Sequence, residues 1–157
     1  MPVTAYIALG ANLGDRESNI RAALEKLEHT PGINVTKVST LIENPAVGGP
    51  ADSPPFLNAA AELVTSLTPA ALLEALLAVE QSLGRTRDVK WGPRAIDLDL
   101  LLYADHVLNT RGLTLPHPLM HQRRFVLEPL AQLAPDAVHP TTHRTIRELL
   151  DDLDTRS

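Results

Sequence analysis

Cysteine is absent from the 157-residue chain. That excludes disulfides, thiolate chemistry and cysteine-ligated zinc, and it fits a reducing compartment. Aromatic residues make up only 3%, too few to tile an exposed sheet with base-stacking platforms. Positive charge is also scarce: 14 Lys+Arg face 19 Asp+Glu, for a formal net charge of −5. A broad basic surface for nucleic acid or anionic lipid is therefore not expected. No apolar run approaches the roughly 20 residues that cross a bilayer. The N-terminal residues lack a basic stretch leading into an apolar core and cleavage site, so no secretory signal is read there. Internal repeats and low-complexity tracts are missing as well. The length suits one hydrophobic core. The expectation is a single cytoplasmic domain over 1–157, acting as a monomer, with no nucleic-acid or membrane partner.

The chain also carries 13 prolines, and they cluster. Val3 to Leu9 reads as a mostly apolar strand that ends at Gly10-Ala11-Asn12-Leu13-Gly14. Asp15 is a good N-cap for a helix with Ile20, Ala23, Leu24 and Leu27 at helical spacing, and Pro31-Gly32 ends it. Ile33 to Ile42, rich in β-branched residues, reads as a second strand, and Leu57 to Val64 as a third. Between them Asn44 to Pro55 is too rich in Pro and Gly for a central strand. Thr68-Pro69 starts a second helix, Leu72, Leu73, Leu76, Leu77 and Leu83 give it an apolar stripe, and Gly84 stops it. Arg85 to Arg94 is a charged loop, and Ala95 to Tyr103 a fourth strand. The order strand–helix–strand–strand–helix–strand predicts an α+β, ferredoxin-like sandwich. Its sheet is mainly antiparallel, with helices on one face and the other face free. Val107-Leu108 and Leu113 to Leu115 should add edge strands, and short helices are expected around Phe125 to Leu133 and Ile146 to Leu153.

Chemistry concentrates in Arg94-Ala95-Ile96-Asp97-Leu98-Asp99-Leu100. Strand alternation puts Asp97 and Asp99 on one face and Ile96, Leu98, Leu100 and Leu102 on the other. Adjacent carboxylates repel unless solvent or a cation screens them. Beside a phosphate substrate, such hard oxygen ligands suit Mg²⁺. A solvated strand face is the plain alternative. The charge distribution favours the cation: residues 85–124 hold seven basic side chains against four acidic ones in an otherwise acidic protein. Arginine forks bind phosphate oxygens while carboxylates hold metal. Gly10 to Gly14 matches neither a P-loop nor G-x-G-x-x-G, and a strand-to-helix turn explains it better. Trp91, the sole tryptophan, is read either as a core anchor or, from its loop Lys90-Trp91-Gly92-Pro93, as a lid residue that packs on a ligand. His117, between Pro116 and Pro118, is by itself more simply a structural or surface histidine. The remaining histidines lack metal-ligand spacing.

Several segments resemble one family, the 6-hydroxymethyl-7,8-dihydropterin pyrophosphokinases. They are Ala8 to Asp15, Asn44-Pro45-Ala46-Val47-Gly48, Phe56-Leu57-Asn58-Ala59, Glu80 and Gly84-Arg85-Thr86-Arg87. Trp91 to Asp99, Leu115-Pro116-His117-Pro118 and Arg123-Arg124-Phe125 complete the set, in the family's order over nearly the whole chain. The resemblance implies transfer of pyrophosphate from ATP to the pterin's hydroxymethyl oxygen, releasing AMP, in folate biosynthesis. It implies two Mg²⁺ ions on Asp97 and Asp99, with Arg85 and Arg94 joining them as catalytic residues. Glu80, Arg85, Arg87, Trp91, Arg94, Leu100, Leu113, Thr114, His117 and Arg123 would bind ATP. Asn44, Pro45, Val47, Phe56, Asn58, Trp91, Asp97 and Phe125 would bind the pterin, with the two phenylalanines stacking on its faces. Asn44, Ala46, Phe56 and Pro118 depart from a well-known pattern of the family, and the segment from Arg87 to Trp91 is a residue shorter.

Two other classes compete on fold grounds. A ferredoxin-like RNA-binding module needs sheet aromatics and a basic face, and here the fourth strand carries two aspartates instead. A noncatalytic small-molecule sensor of the same fold has no need of an aspartate pair together with an arginine cluster.

Overall fold

The computed structural model describes residues 2–12, 14–44, 55–83 and 96–156. Strand β1 (Val3–Ala11) comes first. The Asp15 carboxylate accepts the Ser18 N–H at 3.1 Å and so caps α1 (Arg16–Glu28). Strands β2 (Ile33–Val38), β3 (Ile42–Asn44) and β4 (Phe56–Thr65) follow. Thr68 caps α2 (Pro69–Ser82) through the Ala71 N–H, with Pro69 at the first helical position. Then come β5 (Asp97–Tyr103), β6 (Leu108–Thr110), β7 (Leu113–Leu115) and a 3₁₀ turn at Met120–Gln122. Helices α3 (Arg124–Leu133) and α4 (Ile146–Arg156) end the chain.

The main sheet has the order β2-β4-β1-β5, with β3 also paired to β4, and each pairing is antiparallel. This is the split-βαβ arrangement expected from the element order. On one face α1 and α2 cover Ile7, Leu9, Leu63, Leu98 and Leu100 with their own Ile20, Leu27, Leu72 and Leu76. On the other, α3 and α4 bring Val126, Leu127, Leu130, Ile146 and Leu149 down onto Ala8, Ala60, Leu101 and Leu102.

Several expectations need correction. The second face is not free: α3 and α4 cluster with Ala8, Ala60, Leu101 and Leu102 on it. The strand read from Ile33 to Ile42 splits into β2 and β3 at Ser39, whose N–H donates to Ala60 O and whose Oγ accepts the Ala60 N–H, each at 2.9 Å. Gly10 and Ala11 belong to β1 rather than to a turn. Leu102 does not share a face with Leu98 and Leu100, because the β1–β5 register shifts between Tyr6 and Ile7. That bulge sends both Leu101 and Leu102 to the second core and returns Tyr103 to the first. Finally, β6 and β7 pair with each other as a separate two-stranded sheet instead of extending the main one.

Candidate active site

Register builds the site. Gly10 on β1 lies opposite Asn58 of β4 on one side and Asp97 of β5 on the other. One row of the sheet therefore reads Asn58–Gly10–Asp97. The next row reads Ala60–Ala8–Asp99, and Ala8 belongs to the second core, which identifies the face that carries both aspartates. Cross-strand partners point to the same side at strand spacing of about 4.8 Å. The result is a floor of glycine and alanine between an amide wall and a carboxylate wall.

The amide wall is held together locally. Asn44 Nδ2 donates to Asn58 Oδ1 at 3.1 Å, and β3 pairing places Asn44 beside Phe56. A Cβ built on Gly10 would meet Asn58 Nδ2 at 3.1 Å and Phe56 Cδ1 at 3.4 Å. Glycine here lets Asn58 and Phe56 lie close over the β1 backbone. Sequence reading missed Gly10 by treating it as the end of a strand; a glycine continuing an apolar strand was the available signal.

On the other wall Asp97 and Asp99 are half-buried, while Leu98 and Leu100 between and beyond them are buried. Glu80 of α2 is buried, and its Oε2 accepts the Leu98 N–H at 2.7 Å. By strand alternation the peptide groups of Leu100 face away from β1 as well, so Leu100 offers its backbone at this edge while its side chain stays in the first core. Leu113 and Thr114 sit on β7, which packs against β5.

After β7, the His117 N–H donates to Leu101 O at 3.0 Å, anchoring the histidine beside β5. Its Nδ1 accepts the Leu119 N–H at 3.3 Å, so Nε2 carries the proton of the neutral ring. Burial, followed by the charge of Arg123, holds this ring below the usual histidine range, and Asp97 pulls the other way. Arg123 and Asp97 are thus each within electrostatic reach of His117. The Arg123 guanidinium carbon lies 5.6 Å from the centroid of the Phe125 ring. Phe125 opens α3, which packs on β4, the strand that Phe56 begins. A cavity of about 330 Å³ adjoins His117, with Thr114, His121, His139 and Thr142 in its lining.

The structure thus brings together Asn44, Phe56, Asn58, Asp97 and Asp99 on one end of the sheet, with His117, Arg123 and Phe125 beside it. Pro45, Val47, Arg85, Arg87, Trp91 and Arg94 lie outside the described residues, as do most of the two loops they occupy. Among the described residues no group of three or more His, Asp or Glu can enclose a metal ion. Two carboxylate side chains fit a cation that keeps water and phosphate among its ligands, as Mg²⁺ does.

A family model described as 7,8-dihydro-6-hydroxymethylpterin-pyrophosphokinase (HPPK) matches residues 6–135. A 2-amino-4-hydroxy-6-hydroxymethyldihydropteridine pyrophosphokinase of Bacillus subtilis is 50% identical over 129 residues, covering 82% of this chain and 77% of the relative. One of the same name from Synechocystis is 43% identical over 150 residues, covering 96% of this chain and 76% of the relative. A solved Plasmodium falciparum HPPK-DHPS with pterin and p-hydroxybenzoate superimposes with a TM-score of 0.78 at 16% identity. That match covers 99% of this chain and 42% of the solved one, so this chain spans less than half of the solved protein. At that identity the likeness is one of fold.

Proposed function

The chain belongs to the 7,8-dihydro-6-hydroxymethylpterin-pyrophosphokinase family, and from that premise we propose that the row Asn58–Gly10–Asp97 is where its two substrates meet. The activity is transfer of pyrophosphate from ATP to 6-hydroxymethyl-7,8-dihydropterin, giving the pterin diphosphate and AMP in folate biosynthesis. A bond forms between the pterin's hydroxymethyl oxygen and the β-phosphorus of ATP. The bond from that phosphorus to the α-bridging oxygen breaks, AMP leaves, and the hydroxyl loses its proton.

The observation that carries the reading is the register. It sets a floor of glycine and alanine beside a carboxylate pair, one strand apart, which supports a pterin lying next to the phosphates. Asn58, its amide held by Asn44, reads the donor–acceptor edge of the pterin, and Phe56 and Phe125 supply its stacking faces. Pro45 and Val47 belong to the same subsite by sequence. Asp97 and Asp99 are the residues that would hold Mg²⁺, two ions in this reading. When bound, the metal neutralises phosphate charge.

The chain's own groups then hold the nucleotide. Neutral His117 donates Nε2–H to a phosphate oxygen, and Arg123 supplies positive charge beside it. Backbone at Leu100, with Leu113 and Thr114, lines the nucleotide end. Glu80 lies behind that edge. By sequence, Arg85, Arg87 and Arg94 add phosphate contacts, with Arg85 and Arg94 nearest the developing charge, and Trp91 covers the site. Water held away from the reacting phosphorus cannot compete as acceptor. We take the protein to work as a cytoplasmic monomer, one domain over 1–157. Its lack of cysteine supports the compartment, and its net charge of −5 fits the absence of a nucleic-acid or anionic-membrane partner. No helix among the described residues is long and apolar enough to cross a membrane.

Mass spectrometry of a mixture of protein, Mg²⁺-ATP and the pterin alcohol tests the activity. AMP and the pterin diphosphate should accumulate together. ADP with a pterin monophosphate would overturn the reading.

A further inference from the structure

Helix α2 turns Leu72, Leu76 and Val79 toward the core, and beside them it turns Glu80, which is only 1% exposed. A carboxylate in that position is costly to bury unless strong hydrogen bonds compensate it. The bond it makes is specific. Glu80 Oε2 accepts the N–H of Leu98 at 2.7 Å, and Leu98 is the residue between Asp97 and Asp99. Since this N–H points away from β1, the flanking peptide groups of Asp97 and Asp99 are the ones turned toward Gly10 and Ala8. The backbone between the two acids is therefore held from both sides, by β1 on one edge and by α2 on the other.

We propose that Glu80 is a positioning residue for the aspartate pair: by fixing the Leu98 peptide it sets the spacing and direction of Asp97 and Asp99 for a divalent cation. Two like charges two residues apart repel each other, and without a fixed backbone between them they relax by splaying. A charged acceptor grips an N–H about twice as strongly as a neutral one. Groups that orient metal ligands in this way are worth roughly 10–100-fold in metal affinity. A residue that served the core alone would be better as leucine, which continues the apolar face of α2. The inference rests on the reading of Asp97 and Asp99 as metal ligands, and goes beyond it by assigning the residue that aims them.

The test uses Mn²⁺ alone, without nucleotide, so that contacts to ATP play no part. Wild type, Glu80→Leu, Glu80→Gln and Asp97→Asn are compared by electron paramagnetic resonance titration of Mn²⁺. Amide exchange at Leu98 is read by NMR, circular dichroism checks the fold, and pterin fluorescence checks the neighbouring subsite. Folded Glu80→Leu should show Leu98 exchange about tenfold faster or more and Mn²⁺ affinity about 10–100-fold weaker, a larger loss than any in pterin affinity. Glu80→Gln, which keeps a neutral acceptor, should fall between. Mn²⁺ affinity within about twofold of wild type in folded Glu80→Leu would overturn the assignment. If Glu80→Leu does not fold, Glu80→Gln decides: faster Leu98 exchange with weaker Mn²⁺ binding supports the role, and wild-type values for both defeat it. Wild-type Mn²⁺ binding that ignores Asp97→Asn would instead remove the metal reading itself, and the inference with it.

Discussion

A methyl group on Gly10 would stand 3.1 Å from Asn58 Nδ2 and 3.4 Å from Phe56 Cδ1, so the amide wall would have to give at Asn58. Gly10→Ala should keep the fold, since β1 needs no special backbone angle there, and should weaken pterin binding by about tenfold, or ~1.4 kcal/mol. A fluorescence titration with unchanged affinity would contradict the floor. The aspartates were legible in the sequence because period-2 alternation needs only a strand, whereas Gly10 was not. Its meaning depends on which residues stand opposite it, and that is information about pairing. His139 was likewise unreadable. It is 3% exposed, and its Nδ1 accepts the N–H groups of Thr141 and Thr142 at 3.3 and 3.0 Å. Burial, then the nearby charges of His121 and His143, hold its ring below the usual histidine range. In the unfolded chain it titrates near ~6.5, so as pH falls below that value the unfolded state binds the extra proton first. Stability should therefore fall as pH drops from about 6.5 toward the lowered folded value, with His117 contributing in the same sense. His139→Gln should flatten the decline in melting temperature over that range. A decline as steep as wild type would contradict the assignment.

Helices α1 and α2 were readable as elements because their starts are chemical: Asp15 accepts the Ser18 N–H and Thr68 the Ala71 N–H. Strands were less so, and for identifiable reasons. Leu100, Leu101 and Leu102 are apolar at every position, so alternation says nothing about which face each takes; the register slip opposite Tyr6 and Ile7 decides it. The break at Ser39 is also a tertiary matter. β-branched residues run through Ile33 to Ile42, and only the reciprocal bonds between Ser39 and Ala60 show where β2 ends. Thr40 is tied in turn to Gln132 of α3, its N–H and Oγ1 both reaching Gln132 Oε1 at 2.9 and 3.1 Å. Ser39→Ala strands the buried Ala60 N–H and should cost about 1–3 kcal/mol in urea unfolding. A change below about 0.5 kcal/mol would mean that β2 and β3 are set by pairing alone.

Across the whole molecule, the sheet order follows from the element order, and the site from where the helices stop. Helices α1 and α2 close one face, α3 and α4 close the middle of the other, and the Gly10 end of that face holds both the amide and carboxylate walls. The expectation of a free second face failed because the helices at Phe125 to Leu133 and Ile146 to Leu153, expected only as short additions, carry the apolar residues that cluster with Ala8, Ala60, Leu101 and Leu102. The central claim is that chemistry happens at the carboxylate wall while the pterin is held at the amide wall. Single-turnover rates of Asp97→Ala and Asp99→Ala, measured alongside pterin affinity in the same proteins, test it most directly. Each variant should fold and lose roughly 10²-fold or more in the rate of pterin diphosphate formation, and Asp99→Ala, which lies outside the pterin subsite, should bind pterin within a few-fold of wild type. A folded variant of either aspartate that transfers pyrophosphate at the wild-type rate would contradict the account.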